Sequence, residues 1–169
     1  MQVTFQQEPW EAIEPEVLEI AARHWEEIAV HKDEIKLDID VELFRQMDRT
    51  GILHITTART VGLIDESPPY GSRNPRFYPP RLVGYYLMVV RTHPNYRKTL
   101  FGFIQSYFLL PEFRDPFTGL ELFEAMEEDM KRAGAQALIS GHKLHFDVGP
   151  LFKRLGWTPF EMMYTKYIG

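Results

Sequence analysis

The chain has 169 residues, of which 44% are hydrophobic and 25% charged, a composition typical of a globular protein with one substantial core rather than of a disordered chain. It contains no cysteine, which excludes disulfides, thiolate metal ligands and cysteine nucleophiles. The formal net charge of -5, without a long basic run or an apolar run of membrane-spanning length, predicts that the protein binds neither nucleic acid nor membrane.

The first part of the chain predicts a short strand followed by two helices. "VTFQ", residues 3–6, is alternating and β-branched, which favours a strand. Pro15 suits the first turn of a helix, and "LDID" ends the helical pattern that follows it. That pattern consists of apolar residues at helical spacing: Val17, Leu18, Ala21, Trp25 and Ile28. Asp40 is the predicted N-cap of the second helix, which Gly51 would close.

Two predicted strands follow, with a long connection between them. "ILHITTART" predicts one strand, and "LVGYYLMVVRTH" predicts another that is apolar enough to be buried on both faces. Residues 64–81, between them, are rich in Pro, Gly, Ser and Asn and predict a loop. A loop of this length is typical of a lid, a binding loop or a contact with a partner, and the alternative is a tolerated surface insertion.

The rest of the chain alternates between predicted strands and helices. "FGFIQSYFLLP" predicts a strand that ends at Pro111, and "LELFEAMEEDMKRAG" predicts an amphipathic helix that ends at Gly134. "AQALISG", "DVGPLFKRLG" and "WTPFEMMYTKYI" predict a strand, a short helix and a final strand. This order predicts an α/β fold with a mixed central sheet and helices on both faces.

The turn "RDPFTG", residues 114–119, combines features of an anion site. The N-terminus of a helix carries unpaired N–H groups and a partial positive charge, which attract phosphates. Arg114 adds a full positive charge, and Gly119 permits close approach to the backbone. The competing interpretation is internal capping, because Thr118 and Glu121 have the spacing of a capping box.

Residues 82–168 resemble the GNAT N-acetyltransferases. In that family a central strand leads into a turn of pattern Arg/Gln-x-x-Gly-x-Gly/Ala, whose amides hold the pyrophosphate of acetyl-coenzyme A. "RDPFTG" supplies Arg114 and Gly119, "PEFR" resembles the family's "PEYR", and "LFKRLGW" resembles its late "Tyr-x-x-x-Gly-Phe" element. The two N-terminal helices extend the resemblance over nearly the whole chain, and "HWEEIAVHKDEIKLDID" resembles phage-encoded members.

Two positions depart from the family's pattern. Phe117 replaces the first glycine of the turn, beside Pro116, which has no N–H to donate. A bulky residue does not easily take the positive φ that is open to glycine. Phe152 stands where the family has the tyrosine that protonates the leaving thiolate, and phenylalanine cannot donate a proton.

The resemblance implies a single GNAT-like domain over residues 1–169. Its implied activity is transfer of an acyl group, most simply acetyl, from acetyl-coenzyme A to an amine by direct attack. The implied cofactor-binding residues are Leu109, Leu110, Arg114, Phe117, Thr118, Gly119, Leu120 and Phe152. The amine acceptor is a small molecule or a protein. The alternative is a non-catalytic GNAT-like binding protein that recognises a protein partner through residues 70–81.

Two further catalytic candidates lie in the C-terminal part of the chain. His142 and His145 follow a predicted strand, where a GNAT-like sheet opens toward both substrates, and histidine titrates near neutrality. We predict His142 as the substitute for the missing tyrosine. Tyr164 is a second candidate, provided that its side chain points inward from the final strand.

Glu27 is the catalytic candidate in the N-terminal part, on one side of the first helix with His24 and His31. This group predicts an acceptor pocket, a zinc site or a solvated stripe. No closed ligand set marks a metal centre, so we predict no metal.

Residues 64–81 are expected to border the acceptor site or a subunit contact, such as that of a homodimer. The loop contains side chains that are favoured at recognition surfaces: Tyr70, Arg73, Arg76, Phe77 and Tyr78. The acidic N-terminal stretch lacks the apolar segment of a signal peptide, which together with the absence of cysteine predicts a cytoplasmic location.

Overall fold

The computed structural model describes residues 2–65 and 76–169. In chain order the elements are β1 (Val3–Gln7), α1 (Trp10–Ile28), α2 (Val41–Arg49), β2 (Leu53–Thr60), β3 (Leu63–Asp65), β4 (Arg76–Tyr78), β5 (Leu82–His93), β6 (Tyr96–Leu109), a 3₁₀ helix (Pro111–Phe113), α3 (Thr118–Arg132), β7 (Ala137–Ile139) and α4 (Gly149–Arg154). Five strands form one sheet in the order β1-β2-β5-β6-β7. Its neighbours are antiparallel except β6 and β7, so the predicted mixed sheet is confirmed.

Helices cover both faces of this sheet, as the sequence predicts. Side chains alternate between the faces of a strand, and residues 82–88 of β5 are all buried. Tyr85 contacts His24 of α1, with 2.7 Å between the hydroxyl and Nδ1. Tyr86 packs edge-on against Phe123 of α3, with 4.9 Å between ring centroids. The continuous apolar run of β5 therefore results from burial on both sides.

The first helix begins earlier than predicted. α1 starts at Trp10, and Pro15 lies inside it rather than at its first turn. Trp10 is fully buried and stacks on Phe44, and its backbone N–H donates to Asp48 Oδ2 at 3.0 Å. These contacts with α2 extend the helix by one turn. They offset the loss of the backbone hydrogen bond that Pro15, without an N–H, cannot make. Within residues 2–65 and 76–169, no helix is long and apolar enough to cross a membrane.

The predicted ends of two helices are confirmed. Asp40 caps α2, and its Oδ1 accepts the N–H of Leu43 at 2.9 Å. Gly51 and Gly134 follow α2 and α3 with φ of +70° and +80°, the left-handed conformation that glycine adopts without a steric penalty.

Two predictions for irregular regions need correction. Residues 63–65 and 76–78, at the ends of the predicted loop, form the antiparallel β3–β4 ribbon, in which Leu63 pairs with Tyr78. Tyr70 and Arg73 lie outside the described residues. The predicted final strand over "WTPFEMMYTKYI" is wrong, because these residues pair with no strand in the described part of the chain. Strand-like composition alone does not supply the neighbouring backbone that a ladder requires.

The sheet opens between β6 and β7. The two strands pair only over residues 101–103 and 137–139, whereas β6 continues to Leu109. β6 itself begins at Tyr96 rather than at Phe101, in a hairpin with β5 that the sequence reading missed. The end of β6 that β7 does not pair with and the residues after Ile139 therefore form the two sides of an opening.

We predict that Gly84→Ala destabilises the fold. A Cβ at Gly84 would lie 2.7 Å from Leu109 Cδ1 and 2.8 Å from the carbonyl oxygen of Phe108, so the end of β6 would have to shift. Such overpacking costs about 1–3 kcal/mol, measurable as a lower urea midpoint. Gly141→Ala is the matched control, since its Cβ would meet nothing within 4 Å. Equal midpoints for the two variants would contradict this account of the packing.

Candidate active site

Arg114 connects the end of β6 to α1. Its Nε donates to the carbonyl oxygen of Leu109 at 2.7 Å, and its Nη2 pairs with Glu27 Oε2 at 2.8 Å. The guanidinium also lies over the rings of Phe108 and Phe146, at 5.3 and 5.0 Å. Two predicted site residues, Arg114 and Glu27, are thus brought together as a partly buried ion pair. In this arrangement the guanidinium is directed to α1 rather than to the N-terminus of α3.

His24 is buried beside this ion pair. Its ring stacks on Phe108 at 4.7 Å, and its Nδ1 lies 2.7 Å from the hydroxyl of Tyr85. Burial penalises the imidazolium and lowers the pKa of His24 from 6.5 to about 4. The prediction of a solvated stripe is therefore wrong for His24, and His31 lies beyond the end of α1 at Ile28.

The turn before α3 is capped by Asp115. Its Oδ1 accepts the N–H groups of Phe117 and Thr118 at 2.8 and 2.9 Å, and its Oδ2 accepts the hydroxyl of Thr118 at 2.5 Å. These hydrogen bonds from Thr118 and from the backbone lower the pKa of Asp115 below its usual value. The predicted capping box of Thr118 and Glu121 is wrong, because the carboxylate that caps the helix precedes Thr118.

Asp115 leaves two amides of the turn available. Within the described part of the chain, neither the N–H of Gly119 nor that of Leu120 has a hydrogen-bond partner. A Cβ at Gly119 would meet only Leu151 Cδ2 at 3.8 Å, so the space beside it is open. Phe117 has φ of -106°, so this turn does not require the positive φ of a glycine at that position. Its side chain is exposed.

His142 lies beside Phe152. The two ring centroids are 6.1 Å apart. Both ring nitrogens of His142 face acceptors: Nδ1 lies 3.2 Å from the carbonyl oxygen of Lys143, and Nε2 lies 3.4 Å from Asp147 Oδ1. Asp147 also accepts the N–H of Gly149 at 2.7 Å, which holds the carboxylate at the start of α4.

The other predicted site residues have different surroundings. Leu109 and Leu110 are buried at the end of β6, where Leu110 donates its N–H to the Val83 carbonyl at 2.8 Å. Phe152 is buried between Phe123, Trp157 and His142, so it joins α4 to α3. Tyr164 is 89% exposed and lies on no strand, so the inward orientation that its predicted role requires is absent.

Sequence reasoning missed three residues around the opening. Asp115 stands immediately before Pro116, and an acidic N-cap followed by proline is a familiar start to a helix, so the signal was present. Tyr85 and Asp147 are recognised only through their partners His24 and His142, which the fold brings to them.

His145 also contacts α1, through Nε2 and the carbonyl oxygen of Glu27 at 3.1 Å. Among the described residues, no group of His, Asp and Glu side chains could hold a metal ion.

Comparison with known proteins finds similarity at the level of structure. No family model and no curated protein matches the sequence. A predicted acetyltransferase from Clostridium acetobutylicum, solved with acetyl-CoA, is 11% identical with a TM-score of 0.66, covering 98% of this chain and 96% of that chain. A ribosomal-protein-alanine N-acetyltransferase from Brucella melitensis biovar Abortus 2308 is 12% identical with a TM-score of 0.64, covering 99% of this chain and 100% of that one.

A plant enzyme has a similar structure as well. Glucosamine-6-phosphate N-acetyltransferase from Arabidopsis thaliana is 12% identical with a TM-score of 0.62, covering 98% of this chain and 99% of that chain. The likeness to these three structures identifies the fold as the GNAT fold, in agreement with the fold predicted from the sequence.

We predict that His24 makes the protein less stable as the pH falls from 6.5 to 4. In this window the unfolded chain binds a proton at His24 and the folded protein does not, because the folded pKa is about 4 and the ordinary value is 6.5. The free energy of unfolding therefore falls by about 1.4 kcal/mol per pH unit from this group. His24→Gln keeps a polar partner for Tyr85, does not titrate, and should show a flatter dependence in urea unfolding. An NMR titration that places the pKa of His24 near 6.5 in the folded protein would contradict the prediction.

Proposed function

We propose that this protein is an acyl-coenzyme A-dependent N-acyltransferase that transfers acetyl from acetyl-coenzyme A to an amine by direct attack. The observation that carries the proposal is the opening between β6 and β7 in a GNAT fold, together with an α3 turn whose Gly119 and Leu120 amides have no partner among the described residues. The turn would supply hydrogen-bond donors for a pyrophosphate, and the opening would receive the rest of the donor. The acetyl-CoA in the Clostridium structure supports the choice of donor.

The phosphates of the donor would be held mainly by the second half of the turn. The amides of Gly119 and Leu120 have no partner in the described part of the chain, whereas those of Phe117 and Thr118 are bound by Asp115. The carboxylate of Asp115 would compete with a pyrophosphate for the same end of α3. Arg114 contributes to phosphate binding only by leaving Glu27, so we assign it first to the architecture of the opening.

The proposed reaction begins with attack of the neutral amine nitrogen on the thioester carbonyl carbon. The resulting tetrahedral species loses the extra proton of its nitrogen to water, and its collapse forms the amide and expels the thiolate of coenzyme A. His142 would donate a proton to this thiolate and regain one from solvent, because its ring lies beside Phe152, the residue at the position of the family's acid. Phe152 would form an apolar wall beside that histidine.

The amine acceptor would enter from the side of α1. Glu27 and the loop residue His145 line that side and are joined by the hydrogen bond to the Glu27 carbonyl. Glu27 would attract and orient an ammonium group through its negative charge, which it shares with Arg114. The similar structures include a ribosomal-protein-alanine N-acetyltransferase and a glucosamine-6-phosphate N-acetyltransferase, so a protein or a small-molecule amine fits the proposal.

A non-catalytic binding protein is the second candidate, and two observations favour it. Asp115 occupies two amides of the turn, and Arg114 is engaged with Glu27. Both arrangements remove groups that would otherwise bind phosphate. A protein with these contacts fixed would keep the fold without using the donor.

We predict that coenzyme A binds and that Gly119→Glu weakens binding at least about tenfold. The added carboxylate fits the open space beside Gly119 but places a negative charge at the phosphate position. Isothermal titration calorimetry measures the effect. Gly119→Ala is the matched control and should bind like the wild type, because its methyl group meets only Leu151 at 3.8 Å. Asp115→Asn removes the competing charge and should bind at least as tightly as the wild type.

Absence of coenzyme A binding in the wild-type protein and in Asp115→Asn would contradict the enzyme proposal and favour the binding protein. Equal affinity of the wild type and Gly119→Glu for coenzyme A would show that its phosphates do not bind at the α3 turn.

We predict that His142→Ala lowers kcat by about a hundredfold, the usual contribution of a positioned acid, with a smaller effect on coenzyme A affinity. A panel of amines and N-terminal peptides is assayed by release of the coenzyme A thiol. Asp147→Asn should lower kcat in the same direction, because it removes the carboxylate that faces Nε2. Phe152→Tyr should raise kcat if the reaction lacks only an acid. An unchanged kcat in both His142→Ala and Asp147→Asn would show that His142 takes no part in the reaction.

A further inference from the structure

The hairpin that joins β5 to β6 carries a row of aromatic side chains. The ring centroids of His93 and Tyr96 lie 5.4 Å apart, those of Tyr96 and Phe101 lie 5.7 Å apart, and those of Phe101 and Phe103 lie 5.8 Å apart. Tyr96 is 57% exposed, and the other three side chains are partly buried. The row lies at the start of β6, whereas the α3 turn follows the end of that strand. The proposed reaction therefore leaves this cluster unused.

Gly102 shows to which face of the sheet the row points. A Cβ at Gly102 would lie 3.3 Å from Met130 Sδ, so the side of β6 toward α3 is closely packed at this position. Side chains alternate along a strand, so Phe101 and Phe103 point to the opposite face. Neither of these two rings packs against the hydrophobic core formed by the described residues. They belong instead to a surface of the sheet, which the exposed ring of Tyr96 continues.

A planar cation extends this row of rings. The guanidinium of Arg91 lies over the ring of Phe103, with 4.2 Å between its carbon and the ring centroid. The side chain of Arg91 is exposed, so a further planar group can stack on the guanidinium. Arg97 and Lys98, which are exposed as well, follow Tyr96 directly. Positive charge therefore accompanies the aromatic row from Phe103 to the hairpin turn.

The charge of this segment is opposite to that of the whole chain. Residues 81–111 contain no Asp or Glu, and residues 91–103 contain three cations, Arg91, Arg97 and Lys98. None of the three forms a salt bridge with another described residue. The sequence prediction against nucleic acid depends on the net charge of -5, which averages over this basic segment. A short phosphate backbone therefore finds local charge complementarity here.

We propose that residues 91–103 form a platform that binds single-stranded nucleic acid. Bases stack on the exposed row of rings and on the Arg91 guanidinium, while Arg97 and Lys98 hold the phosphates. This ligand uses both features of the surface, whereas an acidic peptide would pair with the cations and leave the ring faces unused. A duplex would hide its base faces in its own stack. A platform of this size holds about two or three bases.

This platform lies away from the opening between β6 and β7, so the proposal goes beyond the proposed function and does not depend on it. The test is fluorescence anisotropy with fluorescein-labelled oligouridylate and oligodeoxythymidylate of about ten nucleotides. We expect saturable binding with a dissociation constant on the order of 1–100 μM, weakening as salt is added. Binding of either oligonucleotide supports the proposal, and the tighter of the two shows whether RNA or DNA is preferred.

Two variants test the stacking surface. Tyr96→Ser and Phe101→Leu each remove one ring and should weaken binding about tenfold, the usual effect of losing one stacked base. Tyr78→Ser is the matched control, because Tyr78 is 48% exposed on β4 outside the platform, and it should bind like the wild type. An oligonucleotide with abasic sites in place of its bases should bind at least about tenfold more weakly than the intact one. Circular dichroism of each variant should match that of the wild type.

A charge variant tests the phosphate contacts. Arg97→Gln/Lys98→Gln should reduce the slope of log affinity against log salt by about 1.4, since each phosphate contact with a single strand contributes about 0.7. Lys36→Gln/Lys166→Gln removes two exposed cations elsewhere and should leave the slope unchanged.

Several results would overturn the proposal. Absence of binding by both oligonucleotides would do so, as would an unchanged affinity in both Tyr96→Ser and Phe101→Leu. Equal affinity for the intact and the abasic oligonucleotide would show attraction by charge alone. Equal or tighter binding of a duplex or of oligoglutamate would show that the surface recognises a different class of partner. None of these measurements requires coenzyme A, so the proposed function stands or falls separately.

Discussion

The ion pair between Arg114 and Glu27 fixes the geometry on which the opening depends. One guanidinium holds the last carbonyl of β6, the carboxylate of α1 and, through its faces, the rings of Phe108 and Phe146. The planar fork of arginine makes these contacts at once, and the single ammonium of lysine could not. Three segments that are distant in sequence therefore take their relative positions at the opening from one side chain.

Much of the fold could be predicted from periodicity. The buried run of β5, the amphipathic pattern of α3 and the Asp40 cap appear in the structure where the sequence places them. The errors occur where distant contacts override local preference. Trp10 starts α1 one turn before Pro15 because it is buried against α2, and the tail has the composition of a strand without a neighbouring strand to pair with.

The candidate site was predictable as a set of positions but not as a set of contacts. The motif resemblance placed Arg114 and Gly119 at a turn between a strand and a helix, and the structure has this turn between β6 and α3, because the turn and its neighbours are local in sequence. It could not show that Asp115 fills part of the turn, because capping residues compete for the same amides. Nor could it show the contact between His24 and Tyr85, which are 61 residues apart and meet only when α1 packs on the sheet.

Two consecutive tyrosines of β5 make hydrogen bonds in opposite directions from the sheet. The hydroxyl of Tyr85 reaches His24 on the α1 face, and that of Tyr86 reaches the hydroxyl of Ser140, just after β7, at 2.5 Å. Adjacent residues of a strand point to opposite faces, so this arrangement holds in only one pairing register of β5. A slip by a single residue would turn each phenol to the opposite face of the sheet, and both hydrogen bonds would be lost together. The register of an interior strand thus decides at the same time how α1 and the segment after β7 are held against the sheet.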